Sequence, residues 1–308
     1  MADELTIAPF EAHLPPDHRA GYVALLGRPN TGKSTLLNTL LGQKLSIVSA
    51  KPQTTRHRIL GILNEENAQV VFFDTPGVIA PQYLLHRAMM RAVEEAVREA
   101  DAVLFLVDAT RPDPQDPSLE YLRGLSKPVL LAVNKLDAVS EDQSRRVLAQ
   151  YADRFGFADL IPISALTGYN VPSLKERILQ AIPFGPPFYP KELLSAHPER
   201  FFVAELIREK IFELFEEEIP YSAQVNIVAF KERPEGKDFI DAEIVLERPS
   251  QRAILLGRDG SRIKALGIRA RADIEAFLGR PVYLQLHVKV RPNWRRKAAY
   301  LRSYGYKL

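Results

Sequence analysis

Eight residues, Gly27-Arg28-Pro29-Asn30-Thr31-Gly32-Lys33-Ser34, fit the pattern GxxxxGKS, directly after the apolar run 22–26 and before the helix-like stretch 35–41. A strand running into a glycine-framed loop and then a helix is the context in which this pattern binds phosphate. The two glycines let backbone N–H groups curl into one concavity, and the helix N-terminus behind them adds positive potential. Such a concavity fits a diphosphate. Lys33 would reach the outer phosphates as a point charge, Ser34 would ligate a magnesium ion, and Thr31 and Thr35 flank the cradle.

Three further groups give this site its chemistry. Asp74-Thr75-Pro76-Gly77 ends the apolar run 69–73, which puts a carboxylate where a magnesium partner belongs. Gly77 offers a backbone N–H with no side chain in the way of a terminal phosphate. Asn134-Lys135-Leu136-Asp137 follows a second apolar run, 129–133. Asp137 can accept from both the ring N–H and the exocyclic amine of guanine, whereas adenine would face it with a lone pair. Complementarity of this kind discriminates by about 10⁴. Asn134 would tie loops together and touch the base, and the Lys135 stem would cover its face. One strand later, Ser164-Ala165-Leu166 offers backbone N–H groups to the guanine oxygen.

The elements that must position these groups follow from periodicity. The runs 102–108 and 129–133 are short and almost wholly apolar, as in strands covered on both faces, and residues 84–99 carry apolar side chains at helical spacing, with Met89 and Met90 read as core. Residues 59–63 and 69–73 read as a hairpin, and residues 51–58 as a loop. Strands alternating with helices predict an α/β domain with a mostly parallel sheet and ligand loops at its carboxyl edge.

Prolines 183, 186, 187, 190 and 198 then mark a stiff linker, which divides the chain into an arm (1–20), a nucleotide domain (21–183), a linker (184–199) and a second domain (200–308). In the second domain the spacing predicts a helix over 200–218 with a solvated acidic face at Glu213, Glu216, Glu217 and Glu218, then strands over 223–230 and 239–246. A GxxG, Gly257-Arg258-Asp259-Gly260, sits between helical pieces, and a last strand covers 282–290. A GxxG lets nucleic-acid backbone approach closely, and Arg258, Arg262, Lys264, Arg269 and Arg271 put cations around it. Asp259 is out of place among them and is read as a cap for the following helix. Trp294 is either a packing anchor or a base-stacking platform.

With 308 residues and 46% hydrophobic composition the chain can bury more than one core. The absence of cysteine excludes disulfides, thiolate catalysis and cysteine-ligated metal, and fits a reducing compartment. No apolar run approaches the roughly 18 residues that would span a bilayer, and residues 1–20 lack the pattern of a secretory signal, so the expectation is a cytoplasmic protein. The net charge of +3 is uneven: residues 249–308 hold 14 basic and 3 acidic side chains. That density favours a polyanion, nucleic acid first and an anionic membrane surface second.

GRPNTGKS, DTPG, NKLD and SAL, in this order over about 160 residues, resemble the translation-factor class of GTPases, and the added KH-type domain makes the whole chain similar to the Era family of bacterial ribosome-assembly GTPases. The resemblance implies a Mg²⁺-dependent GTPase that cycles between GTP and GDP. It implies a first switch at Gln53-Thr54-Thr55-Arg56 whose threonine binds magnesium, with Thr55 chosen and Thr54 left open. It further implies binding to small-subunit ribosomal RNA near its 3′ end, a role in 30S assembly, and control of RNA engagement by the nucleotide. Val78 stands after DTPG where many related GTPases carry a water-orienting glutamine, so slow intrinsic hydrolysis is expected. Asn30 sits where relatives of that kind hold K⁺, and potassium-stimulated turnover follows. A double GTPase ending in a KH-like domain is set aside because only one GxxxxGKS is present. The rival from another class is a peripheral membrane or protein-binding scaffold with a structural nucleotide. A monomer is expected.

Overall fold

The structure is a computed structural model that describes residues 15, 17–113, 115–152 and 155–308. Of the arm expected at 1–20, residues 1–14 and 16 lie outside the described residues, while Arg19 and Ala20 already belong to the first strand.

In chain order the first domain runs β1 (Arg19–Leu26), α1 (Lys33–Leu41), β2 (Ile59–Asn64), β3 (Ala68–Asp74), α2 (Leu84–Glu99), β4 (Ala102–Asp108), β5 (Val129–Asn134), α3 (Glu141–Ala152), β6 (Asp159–Pro162) and α4 (Val171–Ala181). Its six-stranded sheet has the order β2-β3-β1-β4-β5-β6, with β2 antiparallel to β3 and every other pair parallel. β4 and β5 are buried along nearly their whole length, as strands covered on both faces must be. One apolar layer packs α2 against the sheet through Leu85, Met89 and Val93, and the opposite layer packs α1 and α4 through Leu36, Leu37, Leu174 and Ile178. After β1 the chain builds β2 and β3 on one side of it and then crosses through α2 to β4 on the other, so the crevice at the carboxyl ends of these strands is the natural ligand site.

The proline-rich segment does not hang free. Its backbone runs along β2 and β3: the Ile62 N–H donates to Leu194 O at 2.8 Å, and the Phe188 and Tyr189 N–H groups donate to Gln69 Oε1 at 2.7 and 3.0 Å.

The second domain comprises α5 (Glu199–Leu214), α6 (Ile219–Ser222), β7 (Gln224–Lys231), β8 (Asp238–Leu246), α7 (Pro249–Leu256), α8 (Ser261–Leu278), β9 (Val282–Val290) and α9 (Ala298–Ser303). The sheet order is β7-β8-β9, antiparallel then parallel. The single helix expected over 200–218 is two. α5 stops where Phe215 turns extended (φ −122, ψ 151), and α6 restarts with Pro220 in its first turn, where a missing N–H costs nothing. The acidic stretch Glu216–Glu218 lies in the exposed break between them.

The two domains share a core. Val245, Trp294, Leu301 and Tyr306 of the second domain pack into the same apolar layer as α2. Trp294 is fully buried and its indole N–H donates to Ser222 O at 2.9 Å, which makes it a packing anchor and leaves no face for a base.

Candidate nucleotide site and nucleic-acid interface

The loop between β1 and α1 is shaped by backbone sign. Gly27 (φ 152), Asn30 (φ 64) and Gly32 (φ 97) all have positive φ, which winds the loop around a cavity of about 60 Å³ lined by Asn30, Gly32, Lys33, Ser34, Thr35, Gln53, Thr54, Thr55 and Gly77. A Cβ on Gly32 would lie 2.2 Å from Asn134 Nδ2, and one on Gly77 would lie 2.5 Å from the Pro29 nitrogen, so both glycines are required by close approach. Thr31 is buried, and its hydroxyl donates to Arg28 O at 3.1 Å.

Lys33 Nζ donates to the carbonyls of Gly27 (3.0 Å) and Arg28 (2.8 Å). Burial pushes its pKa down to about 8, against the pull of Asp74 and Asp116. A phosphate in the cavity would meet the Lys33 ammonium, whose N–H donors these two carbonyls share.

Three hydroxyl or carboxylate groups from three segments converge. Ser34 Oγ donates to Asp74 Oδ2 at 2.7 Å and lies 3.0 Å from Thr55 Oγ1. Asp74 is fully buried, and among the described residues its Oδ1 has no hydrogen-bond partner. Burial pushes this carboxyl up, opposed by Ser34. A buried carboxylate oxygen without a partner, beside two hydroxyls, is the donor set of a hard cation, and these residues fit magnesium. Thr54, the other candidate, donates instead to Lys51 O at 2.8 Å. Thr75 is fully buried with its hydroxyl on Leu25 O at 2.6 Å, and Pro76 is buried beside it. The side chain of Val78 is buried in the α2 layer, while its N–H donates to Gly27 O at 3.1 Å. Asn30 Nδ2 donates to Ala50 O at 2.8 Å, and Asn30 Oδ1 has no protein partner among the described residues.

At the carboxyl end of β5, Asn134 Nδ2 donates to Thr31 O (2.8 Å), and its Oδ1 accepts from the Ala165 N–H (2.9 Å), joining two loops. Lys135, in a left-handed conformation (φ 70), pairs with Asp108 at 2.6 Å. Asp137 Oδ1 accepts from the Ser164 hydroxyl at 2.5 Å. The adjoining cavity of about 510 Å³ is lined by Asp137, Ser164, Leu148 and Tyr169, large enough for a purine. Leu166 is three-quarters exposed and lies outside that lining.

In the second domain, Gly257 (φ 72) and Gly260 (φ 71) hold a turn between α7 and α8, and a Cβ on Gly257 would lie 2.6 Å from Arg262 Cγ. The Asp259 side chain is 94% exposed and makes no cap, so the helix-capping reading fails. Asp259 takes φ 52, which points it outward with Arg258 as its nearest cation at 3.9 Å. Arg262 reaches back to Ile254 O and over the Phe215 ring. Beside the loop lies a groove of about 350 Å³ lined by Lys264, Ile268, Arg271, Tyr283 and Leu286, apolar with a cationic rim. Among the described residues no cluster of three His, Asp or Glu could hold a metal by itself.

Sequence reasoning missed the joint between the domains. Arg56, read only as part of the loop, is buried and donates to the carbonyls of Pro220 (2.9 Å), Tyr221 (3.0 Å) and Ala223 (2.7 Å). Lys51 Nζ donates to Phe212 O and Phe215 O at the end of α5. Glu205, Arg208 and Glu209 on α5 are buried; Glu209 accepts from Lys44 and from the Val48 N–H.

A family described as 50S ribosome-binding GTPase matches residues 22–135, and the KH domain matches residues 218–295. The chain is 49% identical over 311 residues to the chloroplastic GTPase ERA1 of Zea mays, covering 99% of this chain and 75% of the relative. It is 44% identical over 294 residues to GTPase Era of Lacticaseibacillus paracasei, covering 94% of this chain and 97% of the relative. A crystal structure of Era in complex with MgGDPNP and nucleotides 1506–1542 of 16S ribosomal RNA superposes with a TM-score of 0.90 at 40% identity, over 94% of this chain and all of that one.

Proposed function

The chain belongs to the Era family of GTPases, and on that premise we propose that it is a guanine-nucleotide switch that hydrolyses GTP, binds small-subunit ribosomal RNA near its 3′ end and assists 30S assembly. The observation that carries this reading is the double engagement of one loop. Residues 51–58 bring Thr55 to Ser34 and Asp74, and the same loop holds α5 and α6 of the RNA-binding domain through Lys51 and Arg56. Nucleotide state and RNA-domain position therefore bear on a single element.

We assign the roles in this proposal as follows. Asp137 accepts from guanine, Asn134 locks the loops around it, and the Lys135 stem covers the base. The backbone of residues 27–34 and the Lys33 ammonium hold the phosphates, with Thr35 at the helix end. Ser34, Thr55 and Asp74 would hold magnesium, which when bound neutralises charge on the outer phosphates. Thr55 and the Gly77 N–H sense the terminal phosphate, and Arg56 carries that state to the second domain. Asn30 Oδ1, without a protein partner among the described residues, is the potassium ligand of this proposal. Gly257, Arg258, Gly260, Arg262 and Lys264 hold RNA phosphates beside the apolar groove, where Asp259 weakens the local attraction.

The protein acts as a cytoplasmic monomer, and contact with the inner membrane surface is peripheral, through the basic stretch 249–308. No helix among the described residues is long and apolar enough to cross a membrane. The deciding experiment is steady-state GTP hydrolysis with and without a 3′ fragment of small-subunit RNA, in potassium and in sodium buffer. Slow turnover, altered by RNA and faster in potassium, is expected. No turnover under any condition would overturn the switch, and equal rates in both salts would remove the potassium site. Binding to anionic vesicles that outcompetes RNA at moderate salt would favour the scaffold reading instead.

A further inference from the structure

We propose that Gln53 is a catalytic residue of GTP hydrolysis, donating from its side-chain amide to the terminal phosphoryl group, and that His86 on α2 is the residue that positions it. This rests on the GTPase reading of the same site and names a group that the site otherwise lacks.

The residue after DTPG cannot act on water, because the Val78 side chain is buried in the core layer. Gln53 is a polar side chain that lines the phosphate cavity together with Gly77, Ser34 and Thr55. Its backbone is left-handed (φ 61), a conformation costly for a residue with a long side chain, and such outliers gather at functional sites.

One end of its carboxamide is already held. Gln53 Oε1 lies 3.2 Å from His86 Nε2. The other ring nitrogen, Nδ1, accepts from the Gln82 N–H at 3.4 Å, so in the neutral ring the proton sits on Nε2, and Gln53 Oε1 is the acceptor. Burial, then the Arg295 and Arg56 cations, push the His86 pKa down to about 4 and keep the ring neutral. The orientation of the amide is thereby fixed, and its Nε2 is left with two N–H donors and no protein partner among the described residues. Donors aimed at the phosphoryl oxygens are what a loose, metaphosphate-like transition state requires. In the step itself the water oxygen forms the new bond to phosphorus as the bond to the bridging oxygen breaks. GDP leaves with that electron pair, and the water proton ends on the released phosphate. Gln53 exchanges no proton.

His86 is positioned in turn from the second domain. Its ring lies tilted against Tyr83, with centroids 3.8 Å apart and planes at 32°, and the Tyr83 hydroxyl accepts from Arg295 Nη1 at 3.2 Å. The tail of the RNA-binding domain thus bears on the orientation of Gln53 through two side chains of the α2 region.

The test uses the full chain. Gln53→Ala and Gln53→Gly, the second of which tolerates the left-handed backbone, should each lower kcat by about 10- to 100-fold, the scale of losing one transition-state donor. KM and the affinity for a fluorescent GDP should stay within about three-fold. His86→Ala should lower kcat by less, His86→Gln should recover part of that loss, and in the Gln53→Ala background His86→Ala should cost nothing more. Wild-type kcat in both Gln53 variants would overturn the catalytic role, and losses that multiply in the double variant would overturn the positioning role. Absent turnover in the wild-type chain would instead overturn the reading of the whole site.

Discussion

In the proposed guanine site a single carboxylate, Asp137, would decide which base the pocket accepts. Its Oδ1 is occupied by the Ser164 hydroxyl, which fixes the side chain beside the cavity. Two acceptor oxygens suit the two N–H donors of guanine. Asp137→Asn turns one of them into a donor that suits the 2-oxo group of xanthine. We expect the affinity for GTP to fall at least about 100-fold and that for xanthosine triphosphate to rise, read by competition against a fluorescent nucleotide. Unchanged preference for GTP would show that backbone groups at 164–166 choose the base. Asp137, Lys33 and Asn134 were legible in the sequence because each motif sets the local backbone that aims its own side chain. The pairing of Gln53 with His86 was not. Nothing within residues 51–58 says that a histidine 33 positions later will hold the amide, and the fold alone creates that pair.

At the scale of elements, the loop between α1 and β2 acts as a C-terminal cap for two helices of the other domain. Helix ends leave carbonyls without partners, and cations there satisfy them. Lys51 serves the end of α5, and the Arg56 guanidinium gathers three carbonyls at the end of α6. Buried charge on α5 completes the joint. Burial would raise the Glu205 carboxyl, but Arg208 beside it prevails and holds it below the ordinary carboxylate range. Charges at helical spacing read from sequence as a solvated stripe, which is why Glu205 and Glu209 escaped notice; only the partner domain reveals that they are inside. Arg56→Ala should cost about 2 kcal/mol, the scale of hydrogen bonds to a charged group, seen as a lower urea midpoint at unchanged slope. Arg56→Lys should recover only part, since an ammonium lacks the planar fork that serves three carbonyls. An unchanged midpoint in Arg56→Ala would mean that water replaces the guanidinium without loss.

Taken whole, the molecule closes its joint with histidines that stay neutral. His57, from the same loop, stacks on Tyr306 of the C-terminal tail at 4.2 Å and meets Phe201 edge-on. The charged groups that bear on it are Glu205, Arg208 and Arg56, with His197 adjacent. Burial is the main reason its pKa falls from 6.5 to about 4, and burial lowers His197 and His86 as well. Below about pH 6.5 an unfolded chain protonates these rings, while the folded chain keeps His57 neutral until about pH 4, so stability is full above 6.5 and is lost as pH falls through that window. Carboxylates contribute to acid sensitivity too, so the variant is the informative comparison. His57→Gln, which cannot titrate, should lose less Tm than the wild-type chain between pH 6.5 and 4.5, by roughly 3–6 °C. Parallel curves for the two would place the acid sensitivity elsewhere, in Glu205 and its neighbours. Because His57 lies two residues from Thr55, acidification that loosens the joint should also weaken the grip of the tail on the nucleotide loop. The wild-type chain should then lose its RNA-dependent change in GTP turnover at a higher pH than His57→Gln does, before either chain unfolds.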